Sequence, residues 1–70
     1  MDPETINQYD VIELTEDINP KIKKGMQGVV LEQFDVNNFE IEVLDSHGQN
    51  IRFKDQFTFT VNKRQIRKIG

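Results

Sequence analysis

Lys21-Ile22-Lys23-Lys24-Gly25-Met26-Gln27-Gly28-Val29-Val30 runs from a basic loop, through two glycines, into an apolar strand. Glycine has no Cβ, so it takes positive φ without strain and lets a neighbouring backbone approach closely. Gly25 and Gly28 therefore predict a sharp turn feeding a strand, the kind of corner a small β-barrel requires. Nothing in this stretch has the composition of an active site.

Towards the C-terminus, Val29 to Phe34 reads as a strand. Asp35-Val36-Asn37-Asn38 reads as a tight hairpin turn, because Asn tolerates left-handed backbone. Phe39, Ile41 and Val43 then alternate with Glu40 and Glu42, the period-two pattern of a sheet with one wet face. Asp45-Ser46-His47-Gly48-Gln49 is the next turn, with Gly48 at its left-handed position. Ile51 and Phe53 precede a break at Lys54-Asp55-Gln56, after which Phe57, Phe59 and Val61 alternate with Thr58 and Thr60. So long a segment is expected to bend or bulge near Asp55. Asn62-Lys63-Arg64-Gln65 reads as one helical turn, and Ile66 to Ile69 as a short closing strand.

Towards the N-terminus, Tyr9 to Thr15 has the β-branched and aromatic content of a strand. Glu13 must face water, which turns Ile12 and Leu14 inward and leaves Val11 partly exposed. Glu16-Asp17-Ile18-Asn19-Pro20 cannot continue a central strand, since proline has no N–H and restricts the residue before it. A long loop to Gly25 is the consequence. Residues 1–8 are polar, contain Pro3 and offer only Ile6 as an anchor, so a loosely ordered arm is expected ahead of a domain at 9–70.

Five short strands separated by turn signals, with no helical periodicity, predict an all-β fold. At this size the economical form is a small five-stranded barrel with one short 3-10 turn before the last strand. Closure would remove the sheet edges that invite aggregation.

Seventy residues allow one domain, which buries only about 60% of its unfolded surface. There is no cysteine, hence no disulfide and no thiolate metal site, in keeping with a reducing cytoplasm. No apolar run approaches the roughly 20 residues that cross a bilayer, and the opening Met-Asp-Pro-Glu-Thr lacks the features of a signal peptide. The expectation is a cytoplasmic protein without membrane contact.

The net charge of -3 conceals an asymmetry. Residues 1–20 carry six acids and no Lys or Arg, whereas residues 61–70 carry Lys63, Arg64, Arg67 and Lys68 and no acid. First and last strands commonly pair in a barrel, which would set these charges against each other. The alternative is a dipolar surface that steers a charged partner.

The order of features resembles SH3-like barrels: an Asp-apolar-apolar-Glu-Leu strand, a loop to Lys-Lys-Gly-Met-Gln-Gly-Val-Val, two hairpins and a single turn. More narrowly, Tyr9-Asp10-Val11-Ile12-Glu13-Leu14-Thr15-Glu16-Asp17-Ile18 resembles the opening of a small bacterial family, domain of unknown function 4926. The likeness extends to the Gly25/Gly28 turn, Phe39-Glu40-Ile41-Glu42-Val43, Asp45 with Gly48, and Gln65-Ile66-Arg67. That family's tendency to accompany toxin-like genes implies an antitoxin or immunity role. Here the polar arm 1–8 and the Phe57-Thr58-Phe59 stretch depart from its usual pattern, which bears on partner choice. Lys24-Gly25-Met26-Gln27-Gly28-Val29-Val30 also resembles the KOW turn of RNA-touching barrels, over some ten residues that any SH3-like corner would need.

Two binding readings follow. Glu13, Glu16, Asp17, Glu40, Glu42 and Asp45 would form an acidic face for a basic protein partner, a toxin encoded nearby being the case the resemblance implies. Lys21, Lys23, Lys24, Arg64 and Arg67 would contact phosphates, with aromatic rings stacking bases. The acidic total opposes the second, as nucleic-acid modules carry a basic footprint over the whole domain. For any one of these charges the plain alternative is a solvated side chain.

Five phenylalanines and Tyr9 crowd so small an interior, leaving a ring such as Phe57 or Phe34 partly outside as an interface or dimer seam. A monomer or weak homodimer is expected, and a subunit that pairs through a barrel edge is a third reading.

Catalysis has little support. His47 and Ser46 are the only histidine and serine, and as neighbours in a turn they point apart. No zinc set or calcium loop can be read, and no carboxylate pair has apolar surroundings that would raise a pKa. A binding module that is no enzyme and needs no cofactor or metal is the expectation.

Overall fold

The computed structural model describes residues 5–69. Strands β1 (Val11–Leu14), β2 (Gln27–Gln33), β3 (Asn38–Leu44) and β4 (Thr58–Asn62) are followed by a 3-10 turn, Lys63–Gln65, and β5 (Ile66–Lys68). All pairings are antiparallel, in one sheet of order β4-β3-β2-β1-β5. The fold is all-β with the single 3-10 turn placed before the last strand, as the sequence predicts.

The expected closure into a barrel does not occur. Strands β4 and β5 are the two edges of an open sheet. The reason lies in what covers the inner face: Ile6, Ile22 and Ile51, all outside the strands, pack with Ile12, Leu14, Val30, Phe39, Ile41, Val43, Phe59, Val61 and Ile66 in one core. Loop side chains thus do the covering that a closed ladder would do. Each fully buried aliphatic or aromatic side chain contributes about 1.5–3 kcal/mol.

The arm expectation meets the same core. Residues 1–4 lie outside the described part, but Ile6 is only 4% exposed. The Asn7 N–H donates to the Asp10 carboxylate (2.7 Å), and Gln8 Nε2 donates to the Leu31 carbonyl (3.0 Å). Residues 5–8 are therefore fastened to the sheet, so the boundary drawn at Tyr9 cuts through packed structure. Tyr9 itself has φ 71° and precedes β1 rather than opening it.

Strand β3 shows the alternation most cleanly: Phe39, Ile41 and Val43 are buried and Glu40 and Glu42 only half so. Within β1, Ile12 and Leu14 point inward and Val11 outward. The ladder between β2 and β3 shifts register between Val30 and Glu32. This bulge reverses the facing of the residues beyond it.

Of the corner glycines, Gly25 has φ +92°, whereas Gly28 lies inside β2 and is needed for closeness rather than for handedness. Gly48 takes the left-handed position foreseen for it. The break near Asp55 is a two-residue turn with Lys54 at φ 50° and Asp55 at φ 64°. Phe53 and Gln56 close it with reciprocal backbone bonds of 3.0 and 2.9 Å. Both central residues take positive φ, as in the turns that match strand twist.

Candidate functional site

The outer face of the sheet can be assembled row by row from the register. One row runs Thr58, Glu42, Val29, Val11 across β4 to β1, and the Ile69 N–H donates to the Val11 carbonyl (3.0 Å) at its far end. The next places Thr60, Glu40 and Glu32 side by side. A third sets Leu44, Gln27, Glu13 and Arg67 together. Acid thus gathers over β3 and the neighbouring end of β2, and apolar side chains over β1, β2 and the chain beyond β5.

The six acids singled out from the sequence do not form one surface. Glu13 pairs with Arg67 (2.7 Å), and Asp10 with Lys68 (3.6 Å), so the opposed charges at the two ends of the chain meet across the β1–β5 ladder. Glu16 accepts from Gln65 Nε2 (3.2 Å), and Asp17 accepts from the Lys24 N–H (2.8 Å). Asp45 caps its turn, accepting from the N–H groups of His47 (2.8 Å) and Gln49 (3.0 Å). These donors, Gln49 first, hold its carboxyl below the usual range. Asp35 is lowered in the same way, first by the Asn37 N–H and then by the Asn38 side chain.

Glu40 and Glu42 remain together on the wet face, joined by Glu32. The Glu40 carboxylate accepts from the hydroxyls of Thr58 and, at 2.9 Å, Thr60. Glu32 was absent from the sequence-derived set, since counting by twos from buried Val30 turns it inward. The bulge after Val30 places it opposite Glu40 instead. Unaided periodicity carries no signal for that.

The basic candidates are likewise divided. Lys21 Nζ donates to the Arg52 carbonyl (2.8 Å), Lys23 and Lys24 are exposed in the loop before β2, and Arg64 is exposed on the 3-10 turn. Lys24 and Arg67 line one shallow hollow beside Gly25, but Glu13 lines it too. Among the described residues no group of three or more His, Cys, Asp or Glu could hold a metal ion, and no helix is long and apolar enough to cross a membrane.

Phe34 and Phe57 are each 52% exposed, the two rings singled out as surplus to the interior. Arg52 sits 5.3 Å above the Phe57 ring. Phe57 also borders an open groove along β4, whose lining includes Thr58, Thr60, Ile18 and Asn19. Tyr9 and Val36 are further exposed apolar side chains that the sequence reading passed over.

A family model described as Domain of unknown function (DUF4926) matches residues 8–67. The chain belongs to this family. No curated protein and no solved structure matches it. The DUF4926 match begins just before Tyr9 and ends within β5, so it takes in β1 to β4, the acidic wet face, and Gly25, Gly28 and Gly48.

Proposed function

We propose that this chain is a non-catalytic protein-binding module, of the antitoxin or immunity-inhibitor kind, that presents the wet face of β3 to a basic surface of its partner. The observation behind this reading is the trio Glu32, Glu40 and Glu42. They share one face, while the two ion pairs among the described residues use Glu13 and Asp10. Like charges directly opposite each other, as Glu32 and Glu40 are, lower the stability of a sheet. A basic partner would offset that repulsion and speed encounter.

The test is a pull-down of the tagged chain from its native lysate, with and without nuclease, read by mass spectrometry. One stoichiometric protein that survives nuclease and is lost from a Glu40→Lys, Glu42→Lys variant supports the reading. A second reading, RNA binding at the Gly25 corner, draws on Lys24 and Arg67 in one hollow. It requires recovery that nuclease abolishes, that falls steeply with salt, and that Lys23→Glu, Lys24→Glu removes.

A further inference from the structure

The two edges of the sheet are built differently. Edge strand β5, Ile66-Arg67-Lys68, carries two cations. Charged side chains, Lys above all, are a common means of keeping an edge from pairing with another chain. Edge strand β4, Thr58-Phe59-Thr60-Val61-Asn62, has neither charge nor proline and continues from an exposed Phe57. β-Branched and aromatic residues fill it, the composition that favours strand pairing.

The backbone of β4 offers open hydrogen-bonding groups on its outer side. The Lys63 N–H donates to the Asn37 carbonyl (2.7 Å), which makes residues 37 and 63 a hydrogen-bonded pair. Such pairs alternate along an antiparallel ladder. Phe39 with Val61 and Ile41 with Phe59 are therefore the bonded pairs of β3 and β4. Thr58 and Thr60 turn their N–H and C=O groups away from β3, towards a side where no strand follows. At the C-terminal end the outward-facing Asn62 N–H is already taken by Gln65 Oε1 (2.7 Å), which confines the open stretch to Thr58 and Thr60.

We propose that this edge pairs with the same edge of a second copy, joining two sheets through antiparallel β4 strands about a two-fold axis at Phe59. In that register Thr58 lies opposite Thr60 of the other copy. Both threonines exchange N–H···O bonds, and the ladder uses all the open groups of both edges. Phe57, exposed just ahead of the strand, lies at this seam, where a second copy would cover part of its ring. Charge permits the arrangement: the two Glu40 carboxylates sit on strands three spacings apart, about 14 Å. That exceeds the screening length of about 8 Å at physiological salt. Each Glu40 is moreover bonded to its own Thr58 and Thr60. The groove bounded by Ile18 and Asn19 lies along this edge and is where the second strand enters. Only Thr58 and Thr60 of each strand take part in the ladder, so the seam is short and the dimer weak and reversible.

The test combines sedimentation equilibrium of the full chain with amide exchange measured by NMR at low and high protein concentration. The expected result is a reversible dimer in which the Thr58 and Thr60 amides slow with concentration by at least about tenfold, while those of Ile66 and Lys68 do not change. Thr60→Pro removes an outward N–H, and proline is tolerated at that kind of edge position. It is expected to weaken the dimer by at least about tenfold in Kd. If this variant does not fold, the exchange measurement on the unaltered chain decides. A chain that stays monomeric to about 1 mM overturns the proposal. So does a dimer whose Thr58 and Thr60 amides ignore concentration, or one that a folded Thr60→Pro variant retains unchanged.

Discussion

Gly28 sits opposite Val43 in the β2–β3 ladder and so close to the backbone of Glu42, the residue before Val43, that a methyl group on Gly28 would overlap the Glu42 carbonyl oxygen. It would also stand 3.3 Å from that carbonyl's carbon and 3.4 Å from Val43 Cα. All three are backbone atoms of a central strand and cannot swing aside. Gly28→Ala is therefore expected to destabilise by about 2 kcal/mol or more, at the upper end of what overpacking costs. Gly28→Val should do at least as much. Urea denaturation checks this, and a midpoint equal to the parent's would remove the close-approach argument.

Ile6 supplies a second prediction. Truncating a buried isoleucine removes its transfer energy and leaves a cavity, so Ile6→Ala should cost about 2–5 kcal/mol. Thermal unfolding of the two proteins measures the difference. A loss below about 0.5 kcal/mol, the level of an ordinary surface substitution, would mean that residues 5–8 detach freely.

Asn62 starts the 3-10 turn, with its Oδ1 accepting from the Arg64 N–H (2.9 Å) and the Gln65 side chain reaching back to the Asn62 N–H. Asn62→Ala should lower stability by about 1 kcal/mol, the usual worth of such a cap. Because the turn leads straight into β5, exchange of the Ile69 and Thr15 amides, which bond across the β1–β5 ladder, should quicken with it.

Asp35 and Asp45 predict a response to acid. Both carboxyls are held below the ordinary value of 3.8 by N–H donors in their turns. A folded value below the unfolded one gives stability that is present above 3.8 and lost as pH falls through the folded value. Unfolding free energy should decline as the pH drops below about 4, and less steeply in an Asp35→Asn, Asp45→Asn variant. Urea titrations at several pH values provide the check. Equal slopes in the two proteins would show that the turns contribute nothing.

Much of the fold is legible in the residues because each strand states its own facing. Phe39, Ile41 and Val43 against Glu40 and Glu42 fix β3, and Asn62 to Gln65 fix the turn before β5. The surplus rings were also countable, and Phe34 and Phe57 are indeed outside. What escaped was whatever depends on distant partners. Closure failed because Ile6, Ile22 and Ile51, scattered through loops, reach the same core. Glu32 reached the wet face through a one-residue bulge that no alternation announces. The six acids share a sign but not a surface, since the register sets Glu13 against Arg67 and Asp45 closes its own turn.

Val11 and Ile69, bonded at 3.0 Å, mark the place where β1 begins and the chain leaves β5. Because β1 and β5 run antiparallel, that place is a single corner. Tension applied at residues 11 and 69 would meet the β1–β5 ladder one bond at a time, as a zipper is opened. Single-molecule pulling from residues 11 and 69 should accordingly find yielding at low force, and resistance like that of sheared parallel strands would contradict this geometry.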